Sequence, residues 1–390
     1  MNVYNRNRFL PKFHGIGRVE VSGQERVDQN VLEQGGGMLL LPNHPTHSDP
    51  LIFSEALYQI GLNSRTMAAY DVFLRSRLNA WVMQKMGVFS VDRDGSDRQS
   101  MAEAIRTLTE TRDALTVFPE GNVYLQNDRL TPFMEGAAFM GLQAARKLSK
   151  HNLPMVAIPV AIKATYISDE RPQIRERVAA MCEQLGIDPP SADHRIVECI
   201  REIGQAGLER NLRQRAIAVP DTGHLTLRET INLVANAVLE PLETKLEIAP
   251  KIGTTLIDRI RRARQKIHEV RTDPDRKLDH TVARTWADEA MLAFRIASYD
   301  GDYIHENPTL DRVAETVEKL EEDLQGEVGK PTGERLAMVR FMPPVDIVSH
   351  LGKGKMRDAA VAITDEVEKA VSKGLAELNE GNSAAGGQPW

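Results

Sequence analysis

The chain has 390 residues, 42% of them hydrophobic and 27% charged, with a formal net charge of −6. That length holds one large domain or two ordinary ones, and the acidic balance argues against a general nucleic-acid binder. No stretch approaches the roughly 18 consecutive apolar residues of a membrane span. Met1 to Pro11 lacks the apolar core of a signal peptide, and the only cysteines, Cys182 and Cys199, lack metal or redox spacing.

Residues 1–38 are polar, with Arg6, Arg8, Lys12 and Arg18 set near Phe9, Leu10 and Phe13. Such a segment suits a loosely packed N-terminus or contact with an anionic lipid surface. Val19-Glu20-Val21 alternates as a short strand does, and Gly35-Gly36-Gly37 leads into Met38–Leu41, an apolar run predicted as a buried strand. The run stops at Pro42-Asn43-His44-Pro45-Thr46-His47-Ser48-Asp49-Pro50. Pro45 disfavours helical geometry at His44, and Pro50 suits the first turn of a helix with Ser48 or Asp49 as its cap. His44 and Asp49 are therefore candidates for a general base and its orienting carboxylate. A plain helix start is the structural alternative. His44-x-x-His47 lacks a third ligand, so no metal is expected.

Pro50 to Ile60 reads as a helix ended by Gly61, and Thr66–Tyr70 as a second strand. Leu74, Leu78, Trp81, Val82 and Met86 recur at helical spacing among Arg75, Arg77 and Lys85, a stripe suited to core, an acyl channel or a bilayer surface. Gly87–Arg93 is strand-like, Ser100–Arg112 helical, and Ala114–Phe118 a buried strand broken at Pro119-Glu120-Gly121-Asn122. A helix through Leu142–Leu148 and a strand at Met155–Ile162 complete an alternation that indicates a layered α/β domain. Ligands in such folds gather at the carboxyl ends of strands. His44 and Glu120 both fall just past such ends.

From about Ser168 the chain becomes charged and helix-rich. Thr226-Leu227-Arg228-Glu229 fits a capping box, and Leu310, Val313, Val317, Leu320 and Leu324 give one helix a packing seam. Leu336–Phe341 returns as a strand, Met342–Ile347 reads as a turn into a helix, and Arg357–Leu378 is amphipathic. The expected organisation is an α/β domain over 1–167, a helical insertion over 168–333, the closing strand and C-terminal helix over 334–380, and a disordered tail over 381–390.

The ordered set Asn43-His44-x-x-x-x-Asp49, Gly87–Arg93, Phe118-Pro119-Glu120-Gly121-Asn122 and Val156–Ile162 resembles the glycerolipid acyltransferase family, in its 1-acylglycerol-3-phosphate O-acyltransferase branch. The resemblance covers about residues 35–165, with a weaker echo at Val339–Val345. It implies an O-acyltransferase of phospholipid biosynthesis on a glycerolipid-acyltransferase-like α/β fold. His44 would be the base that frees an acceptor hydroxyl to attack an acyl thioester, and Asp49 its partner. Arg93 would bind the acceptor phosphate, with Glu120, Gly121, Asn122 and Asn43 completing the substrate-binding set. It also implies no cofactor beyond the donor, acyl-CoA or acyl carrier protein, and a lysophospholipid or glycerol phosphate as acceptor. The expected location is cytoplasmic, with room for a peripheral contact on the anionic inner face of the cell membrane. The family usually continues Phe-Pro-Glu-Gly-Thr-Arg, whereas Asn122-Val123-Tyr124 follows here, which removes one expected phosphate contact. A catalytically altered lipid-binding or scaffold protein, or an acyl-thioester hydrolase on the same fold, are the alternatives.

Overall fold

A strand that is apolar on both faces is best placed at the centre of a sheet covered on both sides, and Gly37–Pro42, buried throughout, takes that place. The computed structural model describes residues 5–74, 76–92, 97–189, 195–218, 225–249, 253–272, 279–299, 301–326, 328–352 and 354–390. Among them one sheet is built from β1 (Ile16–Ser22), β2 (Gly37–Pro42), β3 (Ser64–Ala69), β4 (Val88–Val91), β5 (Ala114–Thr116), β6 (Met155–Tyr166), β7 (Arg335–Phe341) and β8 (Val345–Asp346). Their order is β1-β7-β6-β2-β5-β3-β4, with β8 pairing β6. β6, β2, β5, β3 and β4 run parallel, so their carboxyl ends share one edge. β7 is antiparallel to β6 and β1 parallel to β7, so β1 begins at that same edge.

Alternate residues of β2 feed two cores. Met38 and Leu40 pack with Ile52, Phe53 and Ala56 of helix α1 (Asp49–Gln59), and Leu39 and Leu41 pack on the opposite face. After the short helix Tyr70–Leu74 come α2 (Arg77–Lys85), α3 (Arg98–Glu110) and α4 (Gly136–Leu148). Leu108 of α3, Leu142 and Ala145 of α4, and Ile363 and Val367 of the C-terminal helix Met356–Glu380 build that opposite core.

The chain divides into two compact units: one from segments within residues 1–170 and from 330–388, the other from 171–329 with 389–390. The second is helical, with α5 (Arg171–Leu185), α6 (Ile196–Gln214), α7 (Leu227–Lys245), α8 (Leu256–Thr272), α9 (His280–Ala297) and α10 (Leu310–Gln325). The capping box at Thr226 and Glu229 forms at the start of α7. α7, α8 and α9 pack together through Val238, Leu242, Ile260, Ala263 and Ala293. Cys182 of α5 and Cys199 of α6 meet with their sulfurs 3.4 Å apart, and burial pushes both thiols up, that of Cys199 to about 12. No described helix is long and apolar enough to cross a membrane.

Two stretches differ from their sequence reading. Met342–Ile347 is more than a turn into a helix: Val345 and Asp346 pair with β6, a single 3-10 turn follows at Val348–His350, and the long helix starts only at Met356. Residues 381–390 are not a disordered tail. Asn382 Nδ2 donates to Thr165 Oγ1 at 3.0 Å, and the Trp390 N–H donates to the Pro308 carbonyl at 2.6 Å. The Trp390 ring meets the guanidinium groups of Arg171 and Arg175 at 5.9 and 5.6 Å, an anchor that the small residues before it do not announce.

Candidate active site

The site begins where β2 runs out of partners. Past Pro42 the Asn43 side chain takes over the ladder: its Nδ2 donates to the Ile162 carbonyl at 3.0 Å, and the Ile162 N–H donates to its Oδ1 at 2.7 Å. A buried amide must be satisfied, and here both ends are spent on the β6 backbone. Asn43 therefore holds the turn. Two residues further along β6, Asn127 does the same for Ala164, at 2.9 and 3.0 Å.

This anchored turn presents His44. Its Nδ1 lies 2.9 Å from Asp49 Oδ2, and its side chain is 17% exposed while that of Asp49 is fully buried. With Nδ1 facing a carboxylate, the ring proton belongs on Nδ1 and the lone pair on Nε2. Asp49 also accepts from the Thr46 N–H and the Thr46 hydroxyl, each at 2.7 Å. Those bonds point its carboxylate back into the turn. Ser48 takes the N-cap position of α1 but makes no side-chain cap bond, its hydroxyl pairing with that of Thr46 at 2.8 Å. The imidazole is walled by Phe118, ring centroids 4.4 Å apart, and Phe118 meets Phe53 edge-on at 6.5 Å. Rotation of the imidazole is thus limited on one side by a hydrogen bond and on another by an aromatic face.

The chain after β5 closes on the same turn. The His44 N–H donates to Glu120 Oε1 at 2.6 Å. Glu120 Oε2 accepts from the Thr131 N–H at 3.2 Å and from the Thr131 hydroxyl. Burial pushes the Glu120 carboxyl up, opposed by the bonds from Thr131 and the His44 backbone. Glu120, expected to line the acceptor site, accepts through both oxygens and ties three chain segments together. Gly121 sits at φ +73°, and a Cβ there would lie 2.1 Å from Met134 Cε, so the tight backbone expected at this glycine is present. Asn122 is half-buried beside it. Arg93 lies outside the described residues.

Thr46, Phe118, Thr131 and Asn127 join the site without having been singled out in sequence. Thr46 carries a signal, since Thr46-x-x-Asp49 has the spacing of a reciprocal cap. Thr131 carries none, because its partner is eleven residues away across a loop. His14 is also close. Burial pushes it down, Arg335 and His47 act in the same direction, and Asp49 opposes them. Its place follows from the topology, because only Gly15 separates it from the start of β1 at the site's edge. Among the described residues no three His, Cys, Asp or Glu side chains group as metal ligands.

Residues 18–163 match the family model described as Acyltransferase. The match runs from β1 to Lys163 in β6 and spans the His44–Asp49 turn, Arg93 and the Glu120–Asn122 loop. A search of curated proteins returns no match to the chain.

Proposed function

We propose, from the premise that residues 18–163 are an acyltransferase-family domain, that the protein is an O-acyltransferase. It moves a fatty acyl group from acyl-CoA or acyl carrier protein to a hydroxyl of a lysophosphatidate-like glycerolipid. The observation that carries this reading is the His44 imidazole held 2.9 Å from the buried Asp49 at the carboxyl end of β2, among the parallel strands of the sheet.

A hydroxyl is a poor nucleophile at neutral pH, and a positioned base contributes roughly 10²–10⁴-fold. His44 Nε2 takes the acceptor O–H proton as that oxygen attacks the thioester carbonyl carbon. Asp49 holds the Nδ1 tautomer and stabilises the imidazolium that results. Collapse of the tetrahedral adduct breaks the C–S bond, and the imidazolium returns its proton to the departing thiolate. The products are a glycerolipid ester and a free thiol. The His44 N–H is already donated to Glu120, so donors to the oxyanion come from other groups. Arg93 is assigned the acceptor phosphate on its motif, where a guanidinium suits bidentate contact. Glu120 and Asn43 are assigned to holding the turn, and Gly121 and Asn122 to the wall beside it.

The same base acting on water would make the protein a thioester hydrolase, and a silent base would leave a lipid-binding scaffold. Incubation with acyl-CoA and lysophosphatidate separates these outcomes. Thiol release matched by diacylated lipid supports the reading. Thiol with free fatty acid, or no thiol at all, contradicts it.

A further inference from the structure

The helices that follow β3 expose a large apolar surface. Leu78 is 71% exposed, Leu74 65%, Trp81 55% and Tyr70 50%. Single exposed apolar residues are ordinary, but four bulky ones within twelve residues are an unusual concentration, and concentrated exposed apolar surface marks interaction sites. They lie on Tyr70–Leu74 and α2. Tyr70 comes directly after the carboxyl end of β3, so the patch starts at the sheet edge that carries His44.

Charge says what the patch fits. Residues 70–85 contain Arg75, Arg77 and Lys85 against a single acidic residue, Asp71, in a chain whose net charge is −6. Lys85 Nζ stands 6.0 Å from the centre of the Trp81 ring. Exposed Trp and Leu interleaved with cations is the composition of surfaces that lie in the headgroup region of a bilayer, rings at the interface and cations toward phosphate. An acidic carrier protein would also answer the charge. Four bulky apolar side chains against three cations favour lipid, where Leu and Trp can enter the acyl boundary.

We propose that residues 70–85 dock the first unit on an anionic bilayer, bringing the edge that carries His44 to the lipid. The choice of lipid as partner rests on the acyl-transfer reading. The docking itself needs no catalysis, so the two can fail separately.

The test is co-sedimentation with vesicles of phosphatidylcholine mixed with phosphatidylglycerol, beside vesicles of phosphatidylcholine alone. The wild type is expected to bind the mixed vesicles, more weakly as salt rises. The double variant Leu78→Asp/Trp81→Asp should lose about tenfold or more in partitioning. Both sites are exposed, so its thermal midpoint and its rate on a water-soluble short-chain substrate should match the wild type. His44→Ala should bind vesicles normally, which separates docking from catalysis. The blue shift of tryptophan emission on binding should vanish in Trp81→Phe. Failure of the wild type to bind mixed vesicles, or equal binding by the double variant, overturns the proposal. Capture of an acyl carrier protein through the same residues without vesicle binding overturns it in favour of a protein partner.

Discussion

The backbone N–H of His44 donates to Glu120 Oε1 at 2.6 Å, so the turn that carries the imidazole is held by the loop after the neighbouring strand. The position of the ring therefore depends on two strand ends and on Thr131, and the pair His44–Asp49 does not stand alone. This arrangement gives Glu120 a part that needs no contact with substrate.

Removing that carboxylate should be felt in both stability and rate. Glu120→Ala leaves the buried N–H groups of His44 and Thr131 without an acceptor, and each such group costs about 1–3 kcal/mol. A lower urea midpoint is expected. Turnover should fall about 100-fold if the ring moves by about 1 Å, with kcat affected more than KM. Glu120→Gln, which keeps the shape and one acceptor oxygen, should fall between wild type and Glu120→Ala. Steady-state kinetics and urea unfolding check both statements.

The same carboxyl makes a statement about pH. Burial raises its folded pKa, so between the unfolded and folded values the native state binds more protons than the unfolded one. Stability from this group is full below the unfolded value and is lost as pH rises through the folded value. Urea unfolding as pH rises from the ordinary carboxylate range should show this decline in the wild type and a flatter profile in Glu120→Gln. Parallel profiles would remove the assignment.

Gly121 is expected to resist any side chain. At φ +73°, with Met134 Cε 2.1 Å from a built Cβ, alanine meets both backbone strain and a clash. A loss of about 1–3 kcal/mol is expected for the backbone alone. Adding Met134→Ala should recover only the steric share, as thermal unfolding of the single and double variants would show.

In the helical unit, Lys319 is buried over the Tyr299 ring, 4.1 Å from its centre, and donates to the Ser298 carbonyl at 2.7 Å. Burial lowers its pKa from 10.5 to about 8, against the opposing pull of Asp323 and Glu322. Between those values the folded state binds fewer protons than the unfolded state, so stability from this group rises with pH across that window. Denaturant unfolding followed by circular dichroism should show a rise in the wild type that Lys319→Met lacks.

Much of this was legible in the sequence, and the rest was hidden for physical reasons. Pro45 and Pro50 bracket the β2–α1 turn, so the placing of His44 and Asp49 at a strand end and a helix start followed from local chemistry. The bonds of Glu120 did not, because one donor is a backbone N–H that no residue type encodes. Asn43 looked like a ligand-binding amide; only the register of β6 shows its amide completing a strand ladder. The tail misled because its Gly, Ser and Ala residues read as disorder, while a single terminal Trp390 supplies the contact. In residues 168–333 helical periodicity was plain, but which helices meet depends on distant faces such as those of Cys182 and Cys199.

The central claim is that the His44 imidazole activates the acceptor hydroxyl. The most direct measurement is acyl-CoA-dependent acylation of lysophosphatidate by the wild type and by His44→Ala, with circular dichroism to establish that the variant is folded. The account predicts a loss of roughly 10²–10⁴-fold in kcat with the fold retained. A folded His44→Ala that acylates at near wild-type rate would contradict it.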